Sequence, residues 1–219
     1  MSMSGNRKSL ELPLFVTGVF AAFILMLTVP ASRSVFEQAT KSHPFFLGFF
    51  KFALLALAGE CLAARIREGR WISPGALPAR FVIWGLLGVW ITLMMKLFSA
   101  GVAELMHGGV LAGGTSLFVR ALVTSVLMNL SFAPVFMTIH KMTDTFLALR
   151  MNGERGSVRT IVHETDWFQF LRGTIFRTIL FFWIPAHTVT FLLPSAYQVM
   201  TAAILSVFLG IMLSQKAKS

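Results

Sequence analysis

FFWIPAHTVTFLLPSAYQV, residues 181–199, sets the reading of this chain. The run is apolar almost throughout, yet it holds Pro185, His187, Thr188 and Thr190, and a tyrosine follows its second proline. Inside lipid, a proline removes a backbone donor, and the carbonyl it leaves must be served by neighbours. Thr188 and Thr190 are close enough in sequence to serve it. Pro194 falls where the chain must turn, and Tyr197 suits an interface where its hydroxyl reaches water. The stretch therefore predicts the end of a kinked helix, a tight turn and the start of another helix. His187 is either part of that packing or a residue lining a pore.

The remaining chain has the same character. Of 219 residues, 56% are hydrophobic and 13% charged, where soluble domains carry about 25% charged residues. Several runs reach the ~20 apolar residues that a helix needs to cross a bilayer. The fold class expected is all-α, a polytopic transmembrane helix bundle of about six spans forming one domain over residues 1–219. The spans fall at residues 12–29, 44–64, 81–100, 117–139, 173–193 and 195–213. The first has an apolar core longer than the ~7–15 residues of a signal-peptide h-region, so it reads as a retained helix. Residues 30–43 read as an outer loop, and residues 140–172 as an inner, solvated loop with a short interfacial helix anchored by Trp167 and Phe168.

The formal net charge of +10 raises the question of nucleic acid, and the positions of the charges answer it. Arg7, Lys8, Arg65, Arg67, Arg70, Arg80, Lys141, Arg150, Arg155, Arg159, Arg172, Lys216 and Lys218 all fall on the side of the N-terminus; only Arg33 and Lys41 fall opposite. Thirteen against two is the positive-inside pattern and predicts cytoplasmic N- and C-termini. There is no basic arm interleaved with aromatics, so no nucleic-acid partner is expected. The lone Cys61 excludes an intrachain disulfide, and the scattered histidines form no HExxH-like pair. GERGS at 153–157 lacks the Lys-Ser/Thr ending of a phosphate loop. No catalytic constellation, cofactor or metal is expected.

Candidate functional residues are the polar groups within spans. Lys51 lies two turns deep in the second run, and Glu60 near its basic end, beside Arg65 and Arg67, where pairing is expected. In the fourth run, at about 100° per residue, Arg120, Thr124, Ser131 and Thr138 share one face; Ser125, Asn129 and His140 gather roughly opposite. Pro134 breaks the backbone ladder near the middle of that run. Lys51, Glu60, Arg120, Thr124, Asn129, Ser131, Thr138 and His187 are the candidates to line a hydrated path, and Arg120 at its outer mouth would favour anions. The plainer reading is hydrogen bonding between helices.

His43-Pro44, Gly59-Glu60, Phe132-Ala133-Pro134, Pro194-Ser195-Ala196-Tyr197 and Leu213-Ser214, in that order along the chain, resemble the motifs of the Mpv-seventeen / peroxisomal membrane protein family of small integral membrane proteins. His43-Pro44 and Gly59-Glu60 stand where that family has a His-Pro and a Gly-Asp. Phe132-Ala133-Pro134 follows Met128-Asn129, where the family has Asp-Gln. Trp183, Pro185, Phe191, Pro194-Ser195-Ala196-Tyr197 and Leu213-Ser214 follow in the family's order. The likeness covers residues 43–216, leaving the helix at 12–29 as an addition to the usual four spans. The chain departs from the pattern at Met128, at Gln198 (an arginine in the family) and at Leu209 (a tryptophan), and its third run lacks the family's Gly-Pro and Trp-Tyr. The resemblance implies a divergent, bacterial member of a group proposed to form pores for small solutes in peroxisomal or mitochondrial inner membranes. The expectation is a small-solute channel or pore in the bacterial cytoplasmic (inner) membrane, with the mitochondrial inner or peroxisomal membrane as the alternative. Its partners would be the lipid bilayer, small solutes or anions, and further copies of the chain in a homo-oligomer. The rival expectation is a non-conducting structural or stress-related membrane protein.

Overall fold

The computed structural model describes residues 3–216 apart from Gly114, with side chains from Glu11 to Ser214 except Thr174. Lys218, which entered the charge count above, lies outside the described residues, as do the side chains of Arg7, Lys8 and Lys216. The described residues are helical with no strand. The order is α1 (Met3–Thr28), α2 (Pro30–Ser42), α3 (Pro44–Glu68), α4 (Leu77–His107), α5 (Leu117–Ser131), α6 (Ala133–Met151), α7 (Val158–Glu164), α8 (Trp167–Gln169), π-helical turns at Phe170–Phe176 and Ile179–Trp183, α9 (Ile184–Leu192) and α10 (Ser195–Lys216).

By length and composition, four helical stretches could cross a membrane: Glu11–Thr28, Pro44–Glu68, Pro74–His107 and Ser195–Ser214. The bent pair α5 and α6 makes a fifth if it counts as one span. The expected span at 173–193 appears as π turns leading into the shorter apolar helix Ile179–Leu192. The chain is thus all-α, with apolar helices compatible with an integral membrane protein.

The contacts divide the chain into two compact units. Unit 1 comprises residues 1–89 and 199–219. Its most enclosed helix is α3, where Phe52, Ala53, Leu55, Ala58 and Cys61 are at most 1% exposed. Small residues let neighbours approach closely, as is usual where lipid supplies no hydrophobic drive between helices. A Cβ on Gly88 would stand 2.5 Å from the Gly48 carbonyl oxygen, and one on Gly59 would stand 2.5 Å from Val207. Helix α3 ends at Gly69, whose φ of 70° suits a residue without Cβ and whose N–H reaches the Arg65 carbonyl.

The loop expected at 30–43 is a helix. Pro30 occupies its first turn, where the missing donor costs nothing. Phe36 and Thr40, one turn apart, are buried, while Arg33, Gln38 and Lys41 are exposed. The low overall hydropathy of this stretch hid a helix apolar on one face only.

Unit 2 comprises residues 90–198. The single helix expected over 117–139 is two, meeting at a 46° bend around Phe132. Pro134, in the first turn of α6, cannot donate back into α5. Trp90, Phe132 and Phe136 fill the bend, with the Trp90 and Phe132 rings edge-to-face at 4.9 Å. The loop expected at 140–172 is also shorter, because α6 continues to Met151 and carries His140, Lys141 and Arg150 on a helix. Phe170, Ile175 and Ile179 of the π turns form a buried cluster against Ala133, Met137 and Trp183.

The glycine contacts carry a test. Gly88→Val puts a branched side chain against a backbone carbonyl that cannot move aside, and should cost about 1–3 kcal/mol. Thermal unfolding in detergent should show the midpoint falling by several degrees, whereas Gly18→Ala, with nothing within 4 Å of its Cβ position, should leave it unchanged.

Candidate functional site

The polar residues of the apolar helices collect at two places, each within one unit. In unit 2, α5 packs extensively against α9. At that interface Ser125 and Asn129, one turn apart on α5, are both fully buried. The Ser125 hydroxyl donates to the Ile184 carbonyl at 2.7 Å. The Asn129 amide nitrogen donates to the Ser125 carbonyl at 2.9 Å and lies 3.3 Å from the Ser125 hydroxyl.

His187, one turn into α9, completes the cluster. Its Nδ1 lies 3.0 Å from Asn129 Nδ2 and 3.2 Å from Asn129 Oδ1. An amide offers a donor and an acceptor side by side, so either neutral tautomer of the imidazole finds a partner. With Nδ1 bare, it accepts from the amide nitrogen; with Nδ1 protonated, it donates to the amide oxygen. The ring is held between Trp183, at 4.9 Å, and Phe191, at 6.4 Å.

The prolines expected to matter do so through backbone geometry. Pro185 lies in the first turn of α9, directly after the wide turns of Ile179–Trp183, where the Ile184 N–H reaches five residues back to Ile179. Wide turns of this kind relieve the ladder where a residue cannot take part. The Ile184 carbonyl then accepts from both Thr188 Oγ1 and Ser125 Oγ, each at 2.7 Å. Thr190 Oγ1 donates to the Ala186 carbonyl at 2.9 Å. Thr188 and Thr190 therefore serve carbonyls of their own helix.

The second place is in unit 1. Lys51 of α3, 2% exposed, donates from Nζ to Thr40 Oγ1 of α2 at 2.8 Å, and its ammonium stands over the Phe36 ring at 4.3 Å. The helix missed in the sequence supplies both partners. Glu60, expected to pair with Arg65 or Arg67, instead joins Arg80 in an ion pair and accepts from Trp84 Nε1 at 2.9 Å. Arg80 lies at the start of α4, 20 positions along the chain, so local charge spacing could not show it. Arg65 turns to the Gly69 carbonyl and the Trp71 ring.

The stripe expected along Arg120, Thr124, Ser131 and Thr138 is not continuous. The bend at Phe132 ends the helical phase before Thr138, and Thr124 is buried while Arg120 and Ser131 are exposed. Thr124, Ser131 and Thr138 each donate to the carbonyl four residues earlier. Of the candidates named from the sequence, Asn129 and His187 come together; Lys51 and Glu60 lie in unit 1 with separate partners. Ser125 and the Ile184 carbonyl are the parts of the cluster that were not put forward. The signal for them was available: Ser125 is one turn from Asn129, and Ile184 directly precedes the proline.

Comparison with family models, with curated proteins and with solved structures returns no match to this chain.

The Asn129–His187 contact should be measurable as coupling. Asn129→Leu and His187→Leu should each lower the unfolding midpoint in detergent, since each leaves a buried polar group without its partner. A double-mutant cycle should give a coupling of roughly 0.6–1.7 kcal/mol, the span seen for side-chain hydrogen bonds between membrane helices. Strictly additive effects would mean that the two side chains do not interact.

Proposed function

We propose that this chain is an integral membrane protein that conducts small solutes, with the Ser125–Asn129–His187 cluster as its narrow polar point. One observation carries the reading: an ionisable side chain with a polar partner sits buried between two otherwise apolar helices, next to breaks in both. Polar groups among apolar spans are costly and are characteristic of solute and ion paths. Broken helices at such positions are the usual way transporters present backbone and side-chain groups to a solute. Arg120, exposed in the first turns of α5, would raise the local concentration of anions. The resemblance to the Mpv-seventeen family supports the same class. The reading extends to a bacterial cytoplasmic membrane, six crossings with both termini inside, and assembly as a homo-oligomer; mitochondrial inner and peroxisomal membranes are the alternatives.

A second reading has its own observation. Asn129 and His187 satisfy each other, and the hydroxyls of Thr124, Ser131 and Thr138 bond to their own helices. Groups satisfied in this way serve a non-conducting structural protein equally well.

Liposome flux separates the two. Purified protein in liposomes should release small anions, sugars or amino acids faster than empty liposomes do. Asn129→Leu should return that release to background, because an apolar constriction excludes water. Release no faster than from empty liposomes for all three solute classes would favour the structural protein. For orientation, reporters fused after Ser219 and near Gly113 should report opposite sides of the membrane; the same side for both would contradict the three crossings drawn between them, and with them the six-span arrangement.

A further inference from the structure

Unit 2 holds a second polar feature that neither reading uses. A cavity of about 390 Å³ opens between α6 and the segment around α8. Met137, His140, Lys141 and Asp144 line one wall, and Asp166 and Phe170 line the other, with Gln169 between these two. The first four are spaced three and four apart, so one face of α6 presents all of them. The volume lies within the range of ~300–1,000 Å³ usual for small-molecule sites. We propose that this cavity binds a small zwitterion, an α-amino acid with a short apolar side group.

The lining itself selects that class. Asp144 and Asp166 bring carboxylates from opposite walls, which suits an ammonium group held between them. Phe170, 8% exposed, and Met137 supply an apolar surface for a hydrocarbon group. Lys141 supplies the one ammonium on the α6 wall, which suits a carboxylate. A plain anion would face two aspartates, and a plain amine would face Lys141, so a solute bearing both charges is favoured over either.

The acidic groups are also held in place. His140 Nε2 lies 3.6 Å from Asp144 Oδ2 across one helical turn. Asp166 Oδ1 accepts from the Gln169 N–H at 2.9 Å, capping the turn that leads into Phe170. Phe170 begins the π-helical turns and meets the Trp167 ring at 5.9 Å. Wide turns of this kind often mark functional sites, because they displace a side chain from the regular helical phase. Among the described residues, no group of three or more His, Cys, Asp or Glu is arranged to hold a metal ion.

This inference rests on the solute-conducting reading for its physiological sense, but binding can be read without flux. Calorimetric titration of the full chain in detergent with L-leucine should give saturable binding. Its two half-analogues, 3-methylbutylamine and 4-methylpentanoate, should each bind at least tenfold more weakly. Lys141→Met should weaken leucine by a similar factor and leave the amine unaffected or improved. Asp166→Asn, which keeps a capping side chain, should weaken both leucine and the amine while leaving thermal unfolding unchanged. No saturable leucine binding by the folded wild-type protein would overturn the proposal, as would leucine binding undiminished in Lys141→Met. Binding without flux would remove the conducting reading and leave the site; flux without binding would do the reverse.

Discussion

A backbone N–H or C=O surrounded by hydrocarbon has no water to turn to, and each one left unmet costs several kcal/mol. This constraint is met by the apolar stretches among the described residues, which are helical with no strand. It also explains where the helices are irregular. At Phe132, where Pro134 cannot donate, the chain bends and aromatic rings close around the bend. At Ile184, ahead of Pro185, the turns widen, and two hydroxyls converge on a single carbonyl. At the irregular start of α9 side-chain hydroxyls thus serve the backbone, and at the bend between α5 and α6 aromatic rings fill the gap.

The same constraint arranges the side chains. Hydroxyls along the helices bond to carbonyls one turn earlier, which satisfies them locally and lets them sit on an apolar face. Asn129 and His187 have no such local solution, and they meet across the α5–α9 interface. Lys51 finds a hydroxyl and an aromatic face on α2. A guanidinium and an indole meet Glu60 from one face of α4, four residues apart. These groups therefore link separate helices: the lysine joins α3 to the amphipathic α2, and the glutamate joins α3 to the start of α4.

Much of this was legible from the sequence. Long apolar runs announce helices in lipid because nothing else satisfies the backbone there, and that argument needs no partner residues. Pro134 and Pro185 mark breaks in the helices through their missing donor. The pairings were not legible. Glu60 had arginines nearby in sequence, yet the partner that packing brings to it is Arg80. Residues 30–43 looked like a loop because average hydropathy cannot register a helix with one apolar face. The face drawn through Arg120, Thr124, Ser131 and Thr138 assumed a single straight helix, and a bend resets the phase of everything after it.

If α5 and α6 form one span, the bend at Phe132 also sets depth. At about 1.5 Å per residue, the 15 residues of α5 are about 22 Å long. A hydrocarbon layer is about 30 Å thick, so α5 standing upright leaves about 8 Å uncrossed. Inclined at 46°, α6 needs about seven or eight residues to cover that remainder. Counted from Ala133, that brings the chain to Ile139 or His140. The helix would emerge from the oily layer where its sequence turns to His140, Lys141 and Asp144, so that one kink angle fixes the level at which ionisable groups meet water.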